Sequence, residues 1–457
     1  MSGVLPANVS FFMQRLQGVS VSHFKINPQG NDSASANKIT RLELPSNSLL
    51  NLRNTRLFFN AQTVSQFGGI GRLPNDISSL IERVAIYMGG TLVQNNFQGY
   101  NVLCHAKAVV EGSKCNSVLG HPEIVRKTSY HNGADFTSTS ETYDKLDEMF
   151  CIDNWEGLLG SLEPSIIDSG ICPQITVEIT WAENSVCPTI SGTALSTGTD
   201  AAGTIDHANA TPCTYTVTNI SMQVEVLGMA TSVLDQITEQ RIASVGYLSL
   251  PFKNYFTYVS THNQTSRFSV NSASWDRVWF VYRDTSYPNT AGAHVVPGHK
   301  IATATNTLTG EPTFDSGGVL DTNSEKYISK YFRMKQPNRS VTSVAATYQL
   351  QVNGASIPAY TLNASEFYAI TKNSVDSFHH ETKMTTGQYK DSYFVQCMRF
   401  CLPDSTYSRL ASGLDTRSVS AQAALVTHGL TECNLTVIAE CTSELRIGSG
   451  RAVEIIA

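Results

Sequence analysis

The chain has 457 residues, of which 15% are charged, and carries a formal net charge of −6. This length is too great for one ordinary domain and suits two of about 200 residues each. The first thirty residues hold only Arg15 and Lys25 as basic side chains, which argues against a basic arm that wraps nucleic acid. With no signal-peptide pattern and no apolar run as long as a membrane span, we expect a soluble chain made in a cytosol or nucleus.

Short runs typical of β-strands follow one another along the chain, and Ser, Thr and Asn take the place of the charged residues that exposed helices usually carry. Ile175 to Trp181 alternates apolar and polar residues with the period of a half-buried strand. Asn353-Gly354 is a strong hairpin signal. The predicted strands lie at 56–59, 84–88, 175–181, 217–226, 278–282, 348–352, 435–438 and 452–456.

Helix signals are few and short, and they are expected at 97–111, 155–162 and 364–372. Two segments, 188–212 and 284–326, show no periodicity and are rich in Thr, Gly and Pro. Loops this long are uncommon unless they carry function. We expect them to form an outer surface or to lock neighbouring molecules together.

The two halves of the chain resemble each other in order. Four segments match, each in the same strand or turn context, with offsets of 226, 221, 264 and 260 residues. The matched pairs are 41–44 with 267–270, 54–59 with 275–280, 89–93 with 353–357, and 175–177 with 435–437. This order predicts a duplicated all-β domain: two consecutive eight-stranded β-sandwiches with short capping helices. We place the first at 1–240, with an N-terminal arm, and the second at 241–457, with the long loop 284–326.

Several motifs of the second half resemble one known family. These are the runs 250–257 and 274–283, the hairpin 351–354 followed by Ile357-Pro358, and the closing segment 440–447. They resemble the second jelly roll of double jelly-roll major capsid proteins from eukaryotic DNA viruses, the polinton-like virus and virophage group. The resemblance is best over 248–457 and looser over 39–229.

The resemblance implies a structural function and no enzymatic activity. Capsid proteins of this family form trimers whose six jelly rolls make a pseudo-hexagonal capsomer, and capsomers build an icosahedral shell. The implied partners are other copies of the chain, neighbouring capsomers and minor capsid or penton proteins, and the implied location is the virion. Whether the chain contacts an inner membrane stays open at this point. The charge balance predicts no strong direct binding to nucleic acid.

No catalytic, cofactor-binding or metal-binding residue is predicted. The cluster His379-His380-Glu381 could bind a metal, but a solvated turn is the simpler interpretation. Paired carboxylates at Asp144, Asp147 and Glu148 are interpreted as an exposed segment that precedes a strand. Arg72 could bind an anion, but it is interpreted as part of a flexible loop. Trp155, Trp181, Trp275 and Trp279 could stack on sugars, but packing in a core or between subunits is expected.

The ten cysteines show no CxxC pair and are expected to be free thiols, at positions 104, 115, 151, 172, 187, 213, 397, 401, 433 and 441. Two rival functions stay open at this point. One is a secreted two-domain β-sandwich that binds carbohydrate or acts as an adhesin, and the other is a glycosidase on a jelly-roll scaffold. The fold class alone does not separate them from a capsid protein.

Overall fold

The computed structural model consists of two β-sandwiches, one from each half of the chain, with all strand pairs antiparallel. Apolar side chains from the facing sheets fill the space between them. The described residues are 20–64, 69–74, 76–111, 116–117, 130–131, 149–187, 189–191, 214–228, 238, 240–285, 293–295, 304–305, 312–313, 327–337, 346–375, 389–390, 392–402, 413–417 and 422–456.

Among its described residues, the first sandwich has eight main strands and one helix longer than two turns. Strands β1, β8, β3 and β6 form one sheet in that order, and β2, β7, β4 and β5 form the other. The elements are β1 (Ser20–Ile26), β2 (Ile39–Glu43), β3 (Leu49–Val64), β4 (Ile81–Met88), β5 (Thr91–Gln98), α1 (Tyr100–Glu111), β6 (Met149–Ile152), β7 (Ile175–Trp181) and β8 (Thr214–Gly228). Shorter strands lie at Ala34–Ser35, Gly69–Arg72, Asn116–Ser117, Tyr130–His131, Ile166–Asp168 and Thr189–Ser191, and short helical turns at Ile77–Leu80, Leu158–Ser161 and Asn184–Val186.

The second sandwich repeats this arrangement. Strands β9, β16, β11 and β14 form one sheet, and β10, β15, β12 and β13 form the other. The elements are β9 (Tyr247–His262), β10 (Thr265–Ser269), β11 (Trp275–Arg283), β12 (Thr347–Val352), β13 (Ala355–Asn363), α2 (Ala364–Ser374), β14 (Val395–Arg399), β15 (Gln422–His428), β16 (Cys433–Gly448) and β17 (Val453–Ile456), which pairs with β16. Shorter strands lie at Ala293–Val295, Ala304–Thr305, Pro312–Thr313 and Tyr327–Ser329, and helical turns at Lys330–Phe332 and Ser449–Arg451.

The two sandwiches share one topology. In each, the first, eighth, third and sixth strands make one sheet, and the second, seventh, fourth and fifth make the other. This is the jelly-roll arrangement, so the predicted fold class of two consecutive eight-stranded jelly rolls is confirmed. The last strand of the first sandwich ends at Gly228 and the first strand of the second begins at Tyr247. The division proposed at 240/241 falls between these strands.

Three of the four matched pairs in the repeat fall on corresponding elements, β2 with β10, β3 with β11, and the β4–β5 turn with the β12–β13 turn. The fourth match is wrong. Ile175 begins β7, whose counterpart is β15, whereas Leu435 lies in β16, the counterpart of β8. An apolar-Thr-Val triplet fits any half-buried strand, because side chains alternate between faces with period two, so it does not specify which strand it is in.

The predicted elements differ from the observed ones mainly in length. The three helices are observed at Tyr100–Glu111, Leu158–Ser161 and Ala364–Ser374. The predicted loops 188–212 and 284–326 lie mostly outside the described residues. The expectation that they contain no regular structure is wrong where Thr189–Ser191 pairs with Gly69–Gly71 and where Ala293–Val295 pairs with Tyr327–Ser329.

Both matched hairpins are tight turns that need left-handed backbone. Gly89 and Gly90 have φ of 57° and 88°, and Asn353 and Gly354 have φ of 50° and 81°. Two consecutive residues with positive φ make the turn whose twist suits a two-residue hairpin, and Gly and Asn adopt it at the lowest cost. The sequence signal at 353–354 therefore has a direct structural cause.

Strand β11 is buried along its whole length. Val278, Phe280 and Tyr282 point into the core of the second sandwich, while Trp279 and Val281 belong to the buried cluster that also fills the first. A strand covered on both faces reads as an unbroken apolar run rather than an alternating one. The outer face of this sheet is therefore the surface on which the two sandwiches meet.

Candidate functional site at the interface between the sandwiches

An apolar contact forms the centre of the interface. Trp279 and Val281 of β11 share one buried cluster with Tyr100 and Leu103 of α1 in the first sandwich. The ring of His105, also on α1, stacks on Phe332 of the second sandwich with centroids 4.6 Å apart. The faces of α1 and of the β9–β16–β11–β14 sheet thus behave as parts of one core.

Backbone groups also join the two sandwiches along β9. The Glu163 amide donates to the Pro251 carbonyl at 3.0 Å, and the Lys253 amide donates to Ser161 Oγ at 2.8 Å. Near the other end of the strand, Thr257 Oγ1 donates to the Gln98 carbonyl at 2.6 Å. The segment that follows β6 therefore covers the outer edge of β9.

A partly buried ion pair lies between these contacts. Lys107 Nζ of α1 is 2.7 Å from Glu156 Oε2, and the phenol of Tyr255 in β9 donates to the same carboxylate oxygen at 2.8 Å. Burial, followed by the negative charge of Glu156, raises the pKa of Tyr255 well above its ordinary value. The phenol consequently stays protonated and acts as a donor across the interface.

A second pair lies on the two strands next to β9 in the same sheet, β16 and β11. Arg277 Nη1 and Glu440 Oε1 are 3.6 Å apart and both side chains are buried. Burial opposes ionisation of Glu440, but the positive charges of Arg277, Lys107 and Lys253 outweigh it and lower its pKa to about 2. The carboxylate is charged at every physiological pH and is held by cations from both sandwiches.

Lys253 continues the network in the second sandwich. Its Nζ lies 2.9 Å from Asp276 Oδ2, which also accepts a hydrogen bond from Thr442 Oγ1 at 2.5 Å. Ser274 Oγ donates to the other carboxylate oxygen at 2.6 Å. Buried charges arranged in neutral pairs fix geometry rather than add much stability. The network can hold the two sandwiches in one orientation.

The outer strands carry exposed apolar side chains. On β1, Val21 is 56% exposed and Phe24 is 49% exposed, and Val259 on β9 is 58% exposed. The only strand that pairs with Ser20–Ile26 in the described part of the chain is β8, so one edge of β1 pairs with no described strand. An edge of this kind is a template for pairing with another chain.

The four tryptophans are all buried. Three indole nitrogens donate inside the protein, from Trp155 to the Thr55 carbonyl, from Trp181 to Thr40 Oγ1 and from Trp275 to the Arg277 carbonyl, each at 2.9 Å. The expectation of core packing is confirmed, and these rings are not available for stacking on sugars.

The other candidate residues give no site that the structure describes. His379, His380, Glu381, Asp144, Asp147 and Glu148 lie outside the described residues, as do Cys115 and Cys213. Arg72 ends the short strand Gly69–Arg72. Within the described ranges, no group of three or more His, Cys, Asp or Glu side chains is arranged to hold a metal ion.

The eight described cysteines form no disulfide, and all but Cys401 are buried.

None of the helices among the described residues has the length and apolar character of a membrane-spanning segment.

The interface charges were not singled out from the sequence. One signal was present, because Asp276, Arg277 and Glu440 interrupt otherwise apolar strand runs. Charged residues in such runs are seldom buried unless they are paired. Lys107, Glu156 and Tyr255 are far apart along the chain and offered no local signal.

Comparisons with known proteins agree with the topology. No protein-family model matches the chain, and no curated protein matches it in sequence. Among solved structures, the PBCV-1 virus capsid aligns over 96% of this chain and 97% of its own, with a TM-score of 0.51 and 11% identity. The chain has the double jelly-roll fold.

Two further structures share this fold. The PBCV-1 protein VP54, fitted into a reconstruction of the virophage Sputnik, aligns over 96% of this chain and 98% of its own, with a TM-score of 0.53 and 12% identity. The Faustovirus major capsid protein aligns over 93% of this chain and 90% of its own, with a TM-score of 0.51 and 10% identity. Alignment over nearly the whole length means that both jelly rolls, and not one alone, have counterparts in these proteins.

Proposed function

We propose that this protein is the major capsid protein of a virus and acts as the structural unit of its shell. The observation that carries the proposal is the arrangement of the two jelly rolls side by side. They meet through an apolar interface that also contains paired charged side chains. Solved structures that align over nearly the whole chain include the PBCV-1 virus capsid and the Faustovirus major capsid protein. Because fold alone does not determine function, the proposal depends on assembly, which can be measured.

In this proposal the chain forms a homotrimer. Two similar sandwiches in each of three copies would present six similar sides, which suits packing into pseudo-hexagonal capsomers and an icosahedral shell. Neighbouring capsomers and minor capsid or penton proteins would be the further partners, in the virion. The net charge of −6 argues against direct strong binding to nucleic acid.

The rival function of a carbohydrate-binding protein or adhesin receives no support from the site. The four tryptophan rings considered for stacking on a sugar are all buried. The charged side chains of these two interface pairs are held within the protein.

Sedimentation velocity of the purified chain at micromolar concentration, followed by negative-stain microscopy, tests the proposal. We expect a stable trimer and, at higher concentration or altered salt, hexagonal arrays or shells. A well-folded monomer that never associates across a range of salt and pH would contradict it. Binding to a glycan array by that monomer would favour the rival function instead.

A further inference from the structure

Two corresponding sheets, β2–β7–β4–β5 in the first sandwich and β10–β15–β12–β13 in the second, differ in the charge of the face that points away from the core. On this outward face of the first sandwich, Glu178 of β7 lies in register opposite Arg41 of β2. At the corresponding place in the second, Ala424 of β15 lies opposite Arg267 of β10. Arg267 is therefore the counterpart of Arg41, but it has no carboxylate across from it.

The outward face of the first sandwich pairs three of its charged side chains. Arg41 Nε is 3.0 Å from Glu178 Oε2, and Arg83 Nη2 of β4 is 3.2 Å from Glu178 Oε1. Arg83 Nε also donates to Thr180 Oγ1 at 3.2 Å. Solvated faces of antiparallel sheets are polar, and opposite charges on neighbouring strands stabilise them. This face thus has the composition of one that is covered by water.

The outward face of the second sandwich carries one side chain among Asp, Glu, Lys and Arg on strands β10, β15 and β12. The outward positions are those that alternate with buried ones along each strand. Apart from Arg267, they are Thr265, Ser269, Gln422, Ala424, Val426, His428, Thr347, Gln349 and Gln351. Loss of charge, rather than high apolarity, marks the centre of a protein–protein interface. This face therefore has the composition of a contact surface.

The two edges of the same sheet carry chemically complementary groups. Arg267 lies on the edge strand β10, and Tyr360, which is 59% exposed, lies on the opposite edge strand, β13. Arg267 is level with Gln351, and Tyr360 lies in the bulge of β13 opposite Gln349. The offset along the strands is about two residues, or roughly 7 Å, which the length of an arginine side chain can span. An arginine over a tyrosine ring is a favourable contact.

We propose that the outward face of the β10–β15–β12–β13 sheet docks on the same face of a second copy of this chain. The two copies are related by a twofold axis that runs parallel to the strands. This axis places β10 of one copy over β13 of the other, so Arg267 meets Tyr360 of its partner on both sides of the contact. The uncharged side chains of β15 and β12 meet at its centre. This inference rests on the proposed function and names a surface by which one trimer joins another.

The size of the face suits a contact between trimers rather than one that holds a trimer together. Four strands about 4.8 Å apart, each with about six residues of 3.4 Å, give roughly 300–400 Å² per copy. Stable interfaces bury about 800 Å² per partner. A single contact is therefore weak, but each copy in a trimer carries one, and several weak contacts together hold an assembly.

The variant Ala424→Glu tests the contact because it gives the second sandwich the kind of charge pair that the first already has. The new carboxylate lies beside Arg267, so the variant should fold and sediment as a trimer. We expect arrays or shells to need at least about tenfold more protein, because the contact must now desolvate a charge pair. Thr180→Glu is the matched control. It adds the same charge beside Arg83 on the first sandwich and should assemble as the wild type does.

Cysteine cross-linking tests the twofold arrangement. Val426 and Gln349 lie in register on the two central strands, so the axis places Val426 of one copy opposite Gln349 of the other. The background chain carries Cys115→Ser, Cys213→Ser and Cys401→Ser. In this background, an oxidised equimolar mixture of Val426→Cys and Gln349→Cys trimers should give disulfide-linked pairs of chains. A mixture of Gln349→Cys with Thr180→Cys trimers should give none.

Each other result of the cross-linking overturns the inference. Linked pairs in the second mixture would mean that the face docks on the first sandwich of another copy. Absence of linked pairs from both mixtures, in arrays or in concentrated solution, would mean that the face is covered by a different protein or by solvent.

The assembly measurements separate the inference from the proposed function. A wild-type chain that stays monomeric contradicts the proposed function itself. Wild-type trimers that assemble, together with Ala424→Glu trimers that assemble equally well, overturn the inference alone. Equal loss of assembly in Ala424→Glu and Thr180→Glu also overturns it, because the effect would then not be specific to the second sandwich. Circular dichroism and the unfolding midpoint of each variant establish that loss of assembly is not loss of folding.

Discussion

The phenol of Tyr255 in the second sandwich donates a 2.8 Å hydrogen bond to Glu156 Oε2 in the first. Because Lys107 binds the same oxygen at 2.7 Å, one carboxylate joins a helix, a loop and a strand from two domains. Side chains that converge in this way restrict how the sandwiches can move relative to each other.

Replacing Tyr255 by phenylalanine should destabilise the protein. The change removes one donor from a partly buried carboxylate while keeping the ring, and a loss of about 1–3 kcal/mol is expected for a hydrogen bond to a charged group. Chemical denaturation with intrinsic fluorescence measures the free energy of unfolding. Tyr360→Phe is the control, since Tyr360 is 59% exposed and its loss should cost nearly nothing. Equal effects of the two variants would contradict the role given to the Tyr255 hydroxyl.

Replacing Glu440 by glutamine should have a larger effect. The change removes the negative charge that faces Arg277, Lys107 and Lys253 in a buried site, and breaking such a pair typically costs about 3–5 kcal/mol. Glu444→Gln is a control in the same strand, because the Glu444–Arg446 pair is partly exposed and such pairs contribute about 1 kcal/mol or less. Thermal unfolding of both variants gives the comparison. If the Glu440 variant unfolds at a temperature no lower than the Glu444 variant, the assignment of a buried, fully charged pair is contradicted.

Local signals were enough to predict much of the fold. The apolar side chains predicted for one face of β7 are all buried, although Glu178 on the other face is buried too, and Asn353-Gly354 forms the expected hairpin. The start of α2 was also marked in the sequence: Asn363 accepts from the Ser365 and Glu366 amides, and Glu366 accepts from the Asn363 amide. Signals of this kind act over a few residues, which is why they can be read without a structure.

Features that depend on distant parts of the chain could not be predicted in the same way. The contact of Lys107 with Tyr255 joins residues 148 positions apart, and nothing near either one indicates it. Strand β1 carries few apolar residues and forms because β8 offers it a hydrogen-bonding edge. The fourth repeat match failed for a related reason, since a three-residue pattern carries no information about which neighbour a strand will have.

Stability should fall as the pH drops from about 6.5 towards 4, partly because of His105. Burial lowers the pKa of His105 to about 4 from an ordinary value of 6.5, and its Nε2 has no hydrogen-bond partner among the described residues. Between these two pH values His105 binds a proton in the unfolded chain but not in the folded chain. The unfolded state is therefore stabilised relative to the folded state by up to about 3 kcal/mol as the pH falls.

Replacing His105 by leucine should remove this part of the pH dependence. We expect a slope of unfolding free energy against pH that is smaller by up to one proton between pH 6.5 and 4, measured by urea denaturation at several pH values. Glu440 and His262 also contribute to acid sensitivity and remain in the variant, so a residual slope is expected. His428→Leu, at an exposed position, is the control. An unchanged slope in the His105 variant would mean that the ring becomes protonated without cost in the folded protein.

Among the described cysteines, Cys401 should react first with a thiol reagent in the native protein. Cys401 is the only one of these eight that is not buried. Burial raises the pKa of Cys172 to about 11 and that of Cys441 to about 12, so their thiolate forms are scarce near neutral pH and shielded as well. Maleimide labelling at pH 7.5, followed by peptide mass mapping, gives the rate at each position.

A variant with Cys115→Ser and Cys213→Ser removes the two thiols that lie outside the described residues, and adding Cys401→Ser should then abolish fast labelling. Labelling of Cys441 as rapid as that of Cys401 would show that β9 often separates from β16 in the native state, against the continuous pairing of these two strands. Native disulfides in the mass map would contradict the expectation of free thiols and favour the secreted rival over a capsid protein, because disulfides persist mainly in oxidising compartments.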